Sequence, residues 1–73
     1  MAAKSSPQGR LGRRVRAVRK AKNMSQMDLV RDHEWTLSHF QKIERGDLDP
    51  RFSTLLKLAD CFDISVSDLL KGL

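Results

Sequence analysis

The sequence predicts an all-α fold in which five short helices surround one small core. Apolar residues recur every three or four positions through most of the chain, which is the spacing of one face of a helix. Residues with strong capping preferences, above all Thr36 and Gly46, mark where individual helices begin and end. The 73 residues are enough for one domain and barely enough for one core.

The chain divides into a short arm, residues 1–8, and one domain, residues 9–73. The arm is small, polar and basic at Lys4, and we expect it to be disordered because it has nothing to pack. The first helix follows over about residues 9–22, and Asn23 is expected to end it in a left-handed conformation. Its apolar face consists of three residues at helical spacing: Leu11, Val15 and Val18.

Charge is distributed unevenly along the chain. Residues 1–22 carry eight Lys and Arg and no acid, residues 23–46 three basic and four acidic residues, and residues 47–73 three and five. The three segment charges are therefore +8, −1 and −2, which indicates a polyanionic partner on the N-terminal side. A solubilising tail is the alternative interpretation. Adsorption to a membrane is disfavoured because the basic helix lacks a Trp-, Phe- and Leu-rich face.

The stretch over residues 25–46 predicts two short helices joined by a tight corner. Ser25 caps the first of them, with Asp28 three residues further on as in a capping box. Thr36 caps the second and Gly46 ends it. The inward stripe of this second helix has two members: Phe40 and Ile43. Its outward side carries five residues: Leu37, Ser38, Gln41, Lys42 and Arg45. An exposed helix of this length, held at an angle by a partner helix, fits the major groove of DNA.

This stretch contains the run SQMDLV, then the cap Thr36, then Phe40 and the run IERG. In this combination it resembles the helix-turn-helix of the lambda-repressor/Cro-like (Cro/C1-type) DNA-binding family. The later stretch PRFSTLLKLADCFDISVSDLL is similar to the fourth and fifth helices of that family. Together the similarity covers roughly residues 9–70. It implies a compact five-helix lambda-repressor-like domain, with the helix-turn-helix as helices 2 and 3. It also implies a sequence-specific regulator that binds a palindromic operator in double-stranded DNA as a homodimer.

The resemblance implies that the third helix reads bases from Leu37, Ser38 and Lys42, with Gln41 and Arg45 beside them. Lys42 is suited to donate to guanine O6 and N7, Leu37 to touch a thymine methyl group, and Gln41 to pair with adenine or hold a phosphate. Contact with phosphate alone is the alternative for Lys42 and Arg45, and packing is the alternative for Leu37.

Contacts with the DNA backbone are expected from Gln26, Arg14, Arg45 and Arg51. Gln26 is predicted to be the first residue of the second helix, whose free N–H groups and dipole favour an anion. The resemblance implies that this glutamine also orients the base-reading side chains. The alternative for Gln26 is an exposed side chain without a role. The alternative for Arg51 is a surface charge at the start of a helix.

One ion pair is expected inside the domain, between Arg19 and Glu44. Helical spacing puts Arg19 next to the apolar face of the first helix, and the resemblance implies that it pairs with the glutamate of IERG. Two half-buried charges are each costly alone and tolerable together, and a planar guanidinium suits a carboxylate. Two separate, solvated charges are the alternative.

The corner between the second and third helices departs from the family. Glu34 stands where glycine is common, and Val30 and Trp35 are larger than the residues they replace. We expect Val30 and Trp35 to lie in the core. Glu34 places a negative charge beside the expected DNA-facing side.

The fourth helix is predicted over residues 51–62 and a short fifth helix within residues 64–70, capped by Ser65 or Ser67. Four residues form the inward stripe of the fourth helix: Leu55, Leu58, Ala59 and Phe62. Leu56 lies on a different side and is a candidate contact residue. The fifth helix carries more apolar residues than it can hide, which indicates a two-fold dimer seam, with closure of the core as the alternative. These residues are Ile64, Val66, Leu69 and Leu70.

Several functions are disfavoured by the sequence. The single Cys61 leaves no disulfide framework, so a reducing, cytoplasmic location is expected. No apolar run is long enough to span a membrane, and the N-terminus has no secretory signal. His33 and His39 lack metal-ligand spacing, and there is no catalytic motif or phosphate loop, so we expect no metal, no cofactor and no enzyme activity.

A protein-interaction module on the same fold is the rival function. An antitoxin that also represses its own promoter is one example, with Leu37 and Leu56 meeting a protein partner. Acidic residues at Glu34, Asp47 and Asp49 favour this interpretation mildly. Binding of structured RNA is a further alternative.

Overall fold

A computed structural model of the chain describes residues 6–32 and 35–73, and all regular structure in these residues is helical. The described residues form five helices: α1 (Pro7–Ala21), α2 (Gln26–Asp32), α3 (Leu37–Arg45), α4 (Phe52–Phe62) and α5 (Val66–Leu69). The predicted all-α fold with five helices is confirmed. Residues 33–34 of the corner, including Glu34, lie outside the described residues, as do residues 1–5 of the expected arm.

Helix α1 begins two residues before the predicted start. The hydroxyl of Ser6 accepts a hydrogen bond from the backbone N–H of Gly9 at 3.1 Å, and Pro7 occupies the first helical position. Proline is favoured there because its missing N–H and fixed φ cost nothing at the first turn. At the other end Asn23 has a φ of 56°, as expected of a left-handed residue after a helix.

Side-chain caps fix the limits of the two central helices as the sequence predicts. The Ser25 hydroxyl accepts from the N–H of Asp28 at 3.0 Å, and the Asp28 carboxylate accepts from the N–H of Ser25 at 2.7 Å. The backbone N–H of Ser25 thereby holds the pKa of the Asp28 carboxyl below its usual value. The Thr36 hydroxyl accepts from the N–H of His39 at 3.1 Å, and Gly46 ends α3 with a φ of 75°.

The core is built from side chains of all five helices and of the α2–α3 connection. Among the described residues, eleven apolar residues are buried: Leu11, Val15, Val18, Leu29, Trp35, Phe40, Ile43, Leu58, Ala59, Phe62 and Leu69. Trp35 is in the core, as predicted, whereas Val30 is only partly buried and packs against the core from outside. The Trp35 indole N–H donates to Cys61 Sγ at 3.4 Å, and partial burial raises the pKa of that thiol.

The end of the chain is closed by two further caps. Asp63, which follows α4, has a left-handed φ of 56°. The Ser65 hydroxyl accepts from the N–H of Asp68 at 3.0 Å, which makes Ser65 rather than Ser67 the cap of α5. Leu69 is fully buried, while Ile64, Val66 and Leu70 pack against the core.

Helix α1 crosses the C-terminal end of α3 at backbone contact. A Cβ atom placed on Gly12 meets the backbone carbonyl oxygens of Ile43, at 2.7 Å, and of Glu44, closer still. A Cβ on Gly46 lies 2.7 Å from the Cα of Gly9. Glycine at these positions therefore lets two helix backbones approach more closely than any side chain allows. Helical spacing alone does not predict this role of Gly12, because the role depends on which helix crosses α1 there.

We predict that Gly12→Ala destabilises the domain by about 1–3 kcal/mol, because the added methyl group pushes α1 away from α3. The direction is opposite to intrinsic helix propensity, which favours alanine over glycine by about 1 kcal/mol. Urea unfolding followed by circular dichroism measures the change. Ala17→Gly is the control: Ala17 is exposed on the same helix, so this variant measures the difference in helix propensity between alanine and glycine without a change in packing. A Gly12→Ala variant as stable as the parent protein would contradict the close crossing.

Candidate nucleic-acid interface

The outward flank of α3 gathers the four residues predicted to read bases. Leu37, Ser38, Gln41 and Lys42 fall within about 140° of one another around the helix at 100° per residue. Ser38 and Lys42 are exposed, whereas Leu37 and Gln41 are half-buried. Phe40 points the other way and is fully buried. The structure therefore turns this flank outward and leaves polar groups and one lysine on it.

Beside this flank lies a recess where α1, the first turn of α2 and the last turns of α3 meet. Five side chains line it: Arg16, Gln26, Gln41, Glu44 and Arg45. Three of them were predicted contact residues, but Arg16 was not. The sequence spacing does indicate where Arg16 lies. Arg16 follows Gly12 by four residues, and residues at i and i+4 share a helix face. The face of α1 that touches α3 therefore carries Arg16 to the edge of the flank.

Arg19 and Glu44 form a buried ion pair between α1 and the last turn of α3. Arg19 Nε lies 2.7 Å from Glu44 Oε2, and Arg19 Nη2 donates to Glu44 Oε1 at 3.4 Å. Arg19 Nη1 also donates to the carbonyl oxygen of Met24 at 2.9 Å. Only 11% and 6% of the Arg19 and Glu44 side chains are exposed. The Glu44 charge beneath the recess is thus compensated by Arg19, and Arg16 adds a positive charge to the recess.

Glu44 also begins a chain of side-chain amides that reaches the outward flank. Gln26 Nε2 donates to Glu44 Oε1 at 2.9 Å, and Gln41 Nε2 donates to Gln26 Oε1 at 3.3 Å. Gln26 is the first residue of α2, as predicted. Its side chain is joined to the predicted base-reading residue Gln41, so the two amides hold each other in place.

Arg14 is not brought together with the other predicted contact residues. Its Nε and Nη2 donate to the backbone carbonyl oxygens of Leu69 at 3.2 Å and Asp68 at 2.7 Å. Arg14 and Arg16 are two residues apart, and therefore about 200° apart around α1. Arg14 consequently lies on the α5 side of α1, where it satisfies carbonyl groups at the end of a short helix.

The two remaining predicted backbone contacts lie at the ends of helices. Arg45, in the last turn of α3, is exposed, and its Nε lies 2.9 Å from Asp47 Oδ2. Asp47, two residues after Arg45, thus forms an exposed ion pair with it. Arg51 is exposed at the N-cap position of α4 and makes no side-chain cap hydrogen bond. It does not line the recess.

Neither a metal site nor a membrane span is found among the described residues. Within residues 6–32 and 35–73, no three side chains of His, Cys, Asp or Glu come together as a metal ion requires. His33 falls outside these ranges. No helix in the described part of the chain combines the length and apolar character that crossing a bilayer needs.

A family model described as a helix-turn-helix domain matches residues 10–70 of the chain. A relative, the HTH-type transcriptional regulator y4dL of Sinorhizobium fredii, is 36% identical over 52 residues. The matched segment covers 71% of this chain and 26% of the relative, so the chain spans about a quarter of the relative's length. No solved structure matches the chain.

We predict that Glu44→Ala costs about 3–5 kcal/mol of stability, because it leaves the Arg19 guanidinium buried without its charge partner. Asp47→Ala removes a carboxylate from the exposed pair with Arg45 and should cost less than about 1 kcal/mol. Chemical denaturation of the two variants under the same conditions gives both values. Equal losses would show that burial does not distinguish the two pairs.

Proposed function

Because the chain belongs to the helix-turn-helix domain family, we propose that it is a sequence-specific transcriptional regulator that binds double-stranded DNA. The observation that carries the proposal is the outward flank of α3, which is capped at both ends and bordered by a recess that carries Arg16 and Arg45. A helix that projects a polar flank beside cations matches both the shape of the major groove and the charge of its phosphates.

In this proposal α3 enters the major groove and reads base edges. Lys42, exposed at one edge of the flank, donates to the O6 and N7 atoms of a guanine. Ser38 donates or accepts according to the base it meets. Leu37, half-buried at the start of α3, contacts a thymine methyl group. Specificity then resides in a few side chains on one helix.

Phosphate contacts set the orientation of α3 in the groove. Arg16 and Arg45 flank the recess beside the first turn of α2, where helix N–H groups favour an anion. Arg51 at the start of α4 is placed to meet the backbone further along. These charges make affinity fall steeply with salt because each phosphate contact releases a counterion.

We assign the dimer seam chiefly to α4. Leu69 is fully buried and the other apolar residues of the α5 region pack on the core. Most of the apolar surface that was expected to remain uncovered on α5 is therefore covered by the domain itself. Phe52 and Leu56, one turn apart on α4, are 66% and 47% exposed. An exposed apolar pair of this kind fits a two-fold contact with a second copy. A dimer would place two α3 helices on half-sites about one DNA turn apart.

The same exposed pair supports the rival function, an interaction module such as an antitoxin that caps a toxin. Phe52 and Leu56 would then meet a different protein. Duplex binding without sequence preference, at low salt only, would favour this rival. A clear preferred sequence from random duplex selection would favour the regulator.

We predict that Lys42→Ala relaxes specificity at one base pair, with a loss of about 1–3 kcal/mol of discrimination for guanine. Arg16→Ala should instead weaken binding to all sequences alike and reduce the slope of affinity against salt by about one. Selection from random duplex DNA, followed by fluorescence anisotropy at several salt concentrations, measures both. A Lys42→Ala variant with unchanged selectivity would refute the base-reading role.

We predict that Leu56→Glu shifts the protein from dimer towards monomer, because the carboxylate is desolvated at the apolar seam. Met27→Glu is the matched control, since Met27 is also exposed, at 52%, but lies on α2. Sedimentation velocity over a range of protein concentrations measures the association state. If Leu56→Glu and the parent protein associate equally, the seam lies elsewhere.

A further inference from the structure

The buried ion pair and the outward flank of α3 are joined by one chain of hydrogen bonds. It runs from the Arg19 guanidinium to the Glu44 carboxylate, then to the Gln26 amide and finally to the Gln41 amide. The three links measure 2.7, 2.9 and 3.3 Å. The chain begins in the interior, and it ends at a half-buried residue that lines the recess.

The order of donors and acceptors in this chain is dictated by its charged end. An ionised carboxylate only accepts hydrogen bonds, so Gln26 turns its NH2 group towards Glu44. Its carbonyl oxygen is then the group left facing Gln41. Gln41 must in turn direct its own NH2 group inwards. Each amide has lost the freedom to turn over, because reversal would set a carbonyl oxygen against an acceptor.

We propose that Glu44 is a positioning residue for base recognition: its buried charge fixes the orientation of the Gln26 and Gln41 amides, so that Gln41 selects adenine. With one N–H used by Gln26, Gln41 presents its carbonyl oxygen and its second N–H outwards. This pair of groups complements the N6 amino group and N7 of adenine in the major groove. The inference rests on the proposed function, since it assumes that the flank of α3 faces DNA.

The Arg19 guanidinium keeps the charged end of the chain in place. It holds both Glu44 oxygens, at 2.7 and 3.4 Å, so the carboxylate is fixed at the α1–α3 contact. Glu44 lies three residues after Gln41 on α3, which puts the two side chains on neighbouring parts of the helix surface. Glu44 therefore acts on DNA through Gln26 and Gln41, without touching a base itself.

The decisive variant is Glu44→Gln. Arg19 only donates, so the new amide must keep its carbonyl oxygen towards Arg19 and turn its NH2 group towards Gln26. Gln26 and Gln41 then both turn over, and Gln41 presents its NH2 group to the groove. Guanine offers two acceptors there, O6 and N7. The expected result is a shift from adenine to guanine at one base pair, by roughly tenfold or more in relative affinity.

The base pair is identified as the one whose preference Gln41→Ala removes. Relative affinities come from anisotropy titrations of the parent and Glu44→Gln proteins on duplexes that differ only at this pair. Thermal unfolding followed by circular dichroism establishes that each variant is folded at the assay temperature. Retention of the parent's adenine preference by a folded Glu44→Gln protein overturns the inference.

Gln26→Met provides a second test that leaves the ion pair intact. It cuts the chain between Glu44 and Gln41, so discrimination between adenine and guanine should fall without reversing. Arg45→Met is the matched control on the same recess, and it should lower affinity for all sequences and keep the preference. Unchanged adenine preference in Gln26→Met overturns the inference even if Glu44→Gln does not fold.

The failure of this inference is distinguishable from failure of the proposed function. A parent protein with no sequence preference refutes the proposed function. The orientation of the amides can then still be tested without DNA, by NMR of the side-chain NH2 group of Gln41. Its motion should increase in Gln26→Met and stay unchanged in Arg45→Met. Equal behaviour of the two variants refutes the fixed orientation itself.

Discussion

The Arg19–Glu44 pair holds α1 against the last turn of α3, and the orientation of the outward flank depends on it. Both charges are almost fully removed from water, so each depends on the other. The pair forms because the backbones of α1 and α3 approach closely at Gly12, where a Cβ atom would meet the carbonyl oxygens of α3. Gly12, Arg16 and Arg19 are spaced as i, i+4 and i+7, so one face of α1 supplies the close contact, the recess cation and the buried charge.

The basic residues of α1 contact different parts of the domain because they lie on different faces of the helix. Arg19 is neutralised inside the domain, and Arg14 satisfies carbonyl groups at the end of α5. Arg16 reaches the recess beside α3. A helix turns by 100° per residue, so neighbours in a basic run point to different partners. Net charge therefore indicates the kind of partner, whereas the helix face decides which cation can reach it.

Local features of the fold were predictable from the sequence because their causes are local. The Thr36 cap, the Gly46 terminus and the left-handed Asn23 each follow from chemistry within a few residues. The crossing at Gly12 and the capping of α5 by Arg14 depend on which helix meets which face, and helical periodicity alone does not contain that information. Helix α1 starts at Pro7, two residues earlier than its apolar spacing predicts, because the Ser6 hydroxyl caps it.

The choice of a charged pair at the α1–α3 contact needs an explanation beyond stability. Replacing a buried ion pair by well-packed apolar residues often leaves stability unchanged or raises it. Apolar residues at positions 19 and 44 would hold the two helices together, but they would leave the Gln26 NH2 group without its acceptor. The Gln26 and Gln41 amides would then be free to turn over, and the flank of α3 would present no fixed order of donors and acceptors. A carboxylate at Glu44 supplies that order and the arginine makes its burial tolerable, so the pair fixes the order of donors and acceptors on the flank as well as the contact between the two helices.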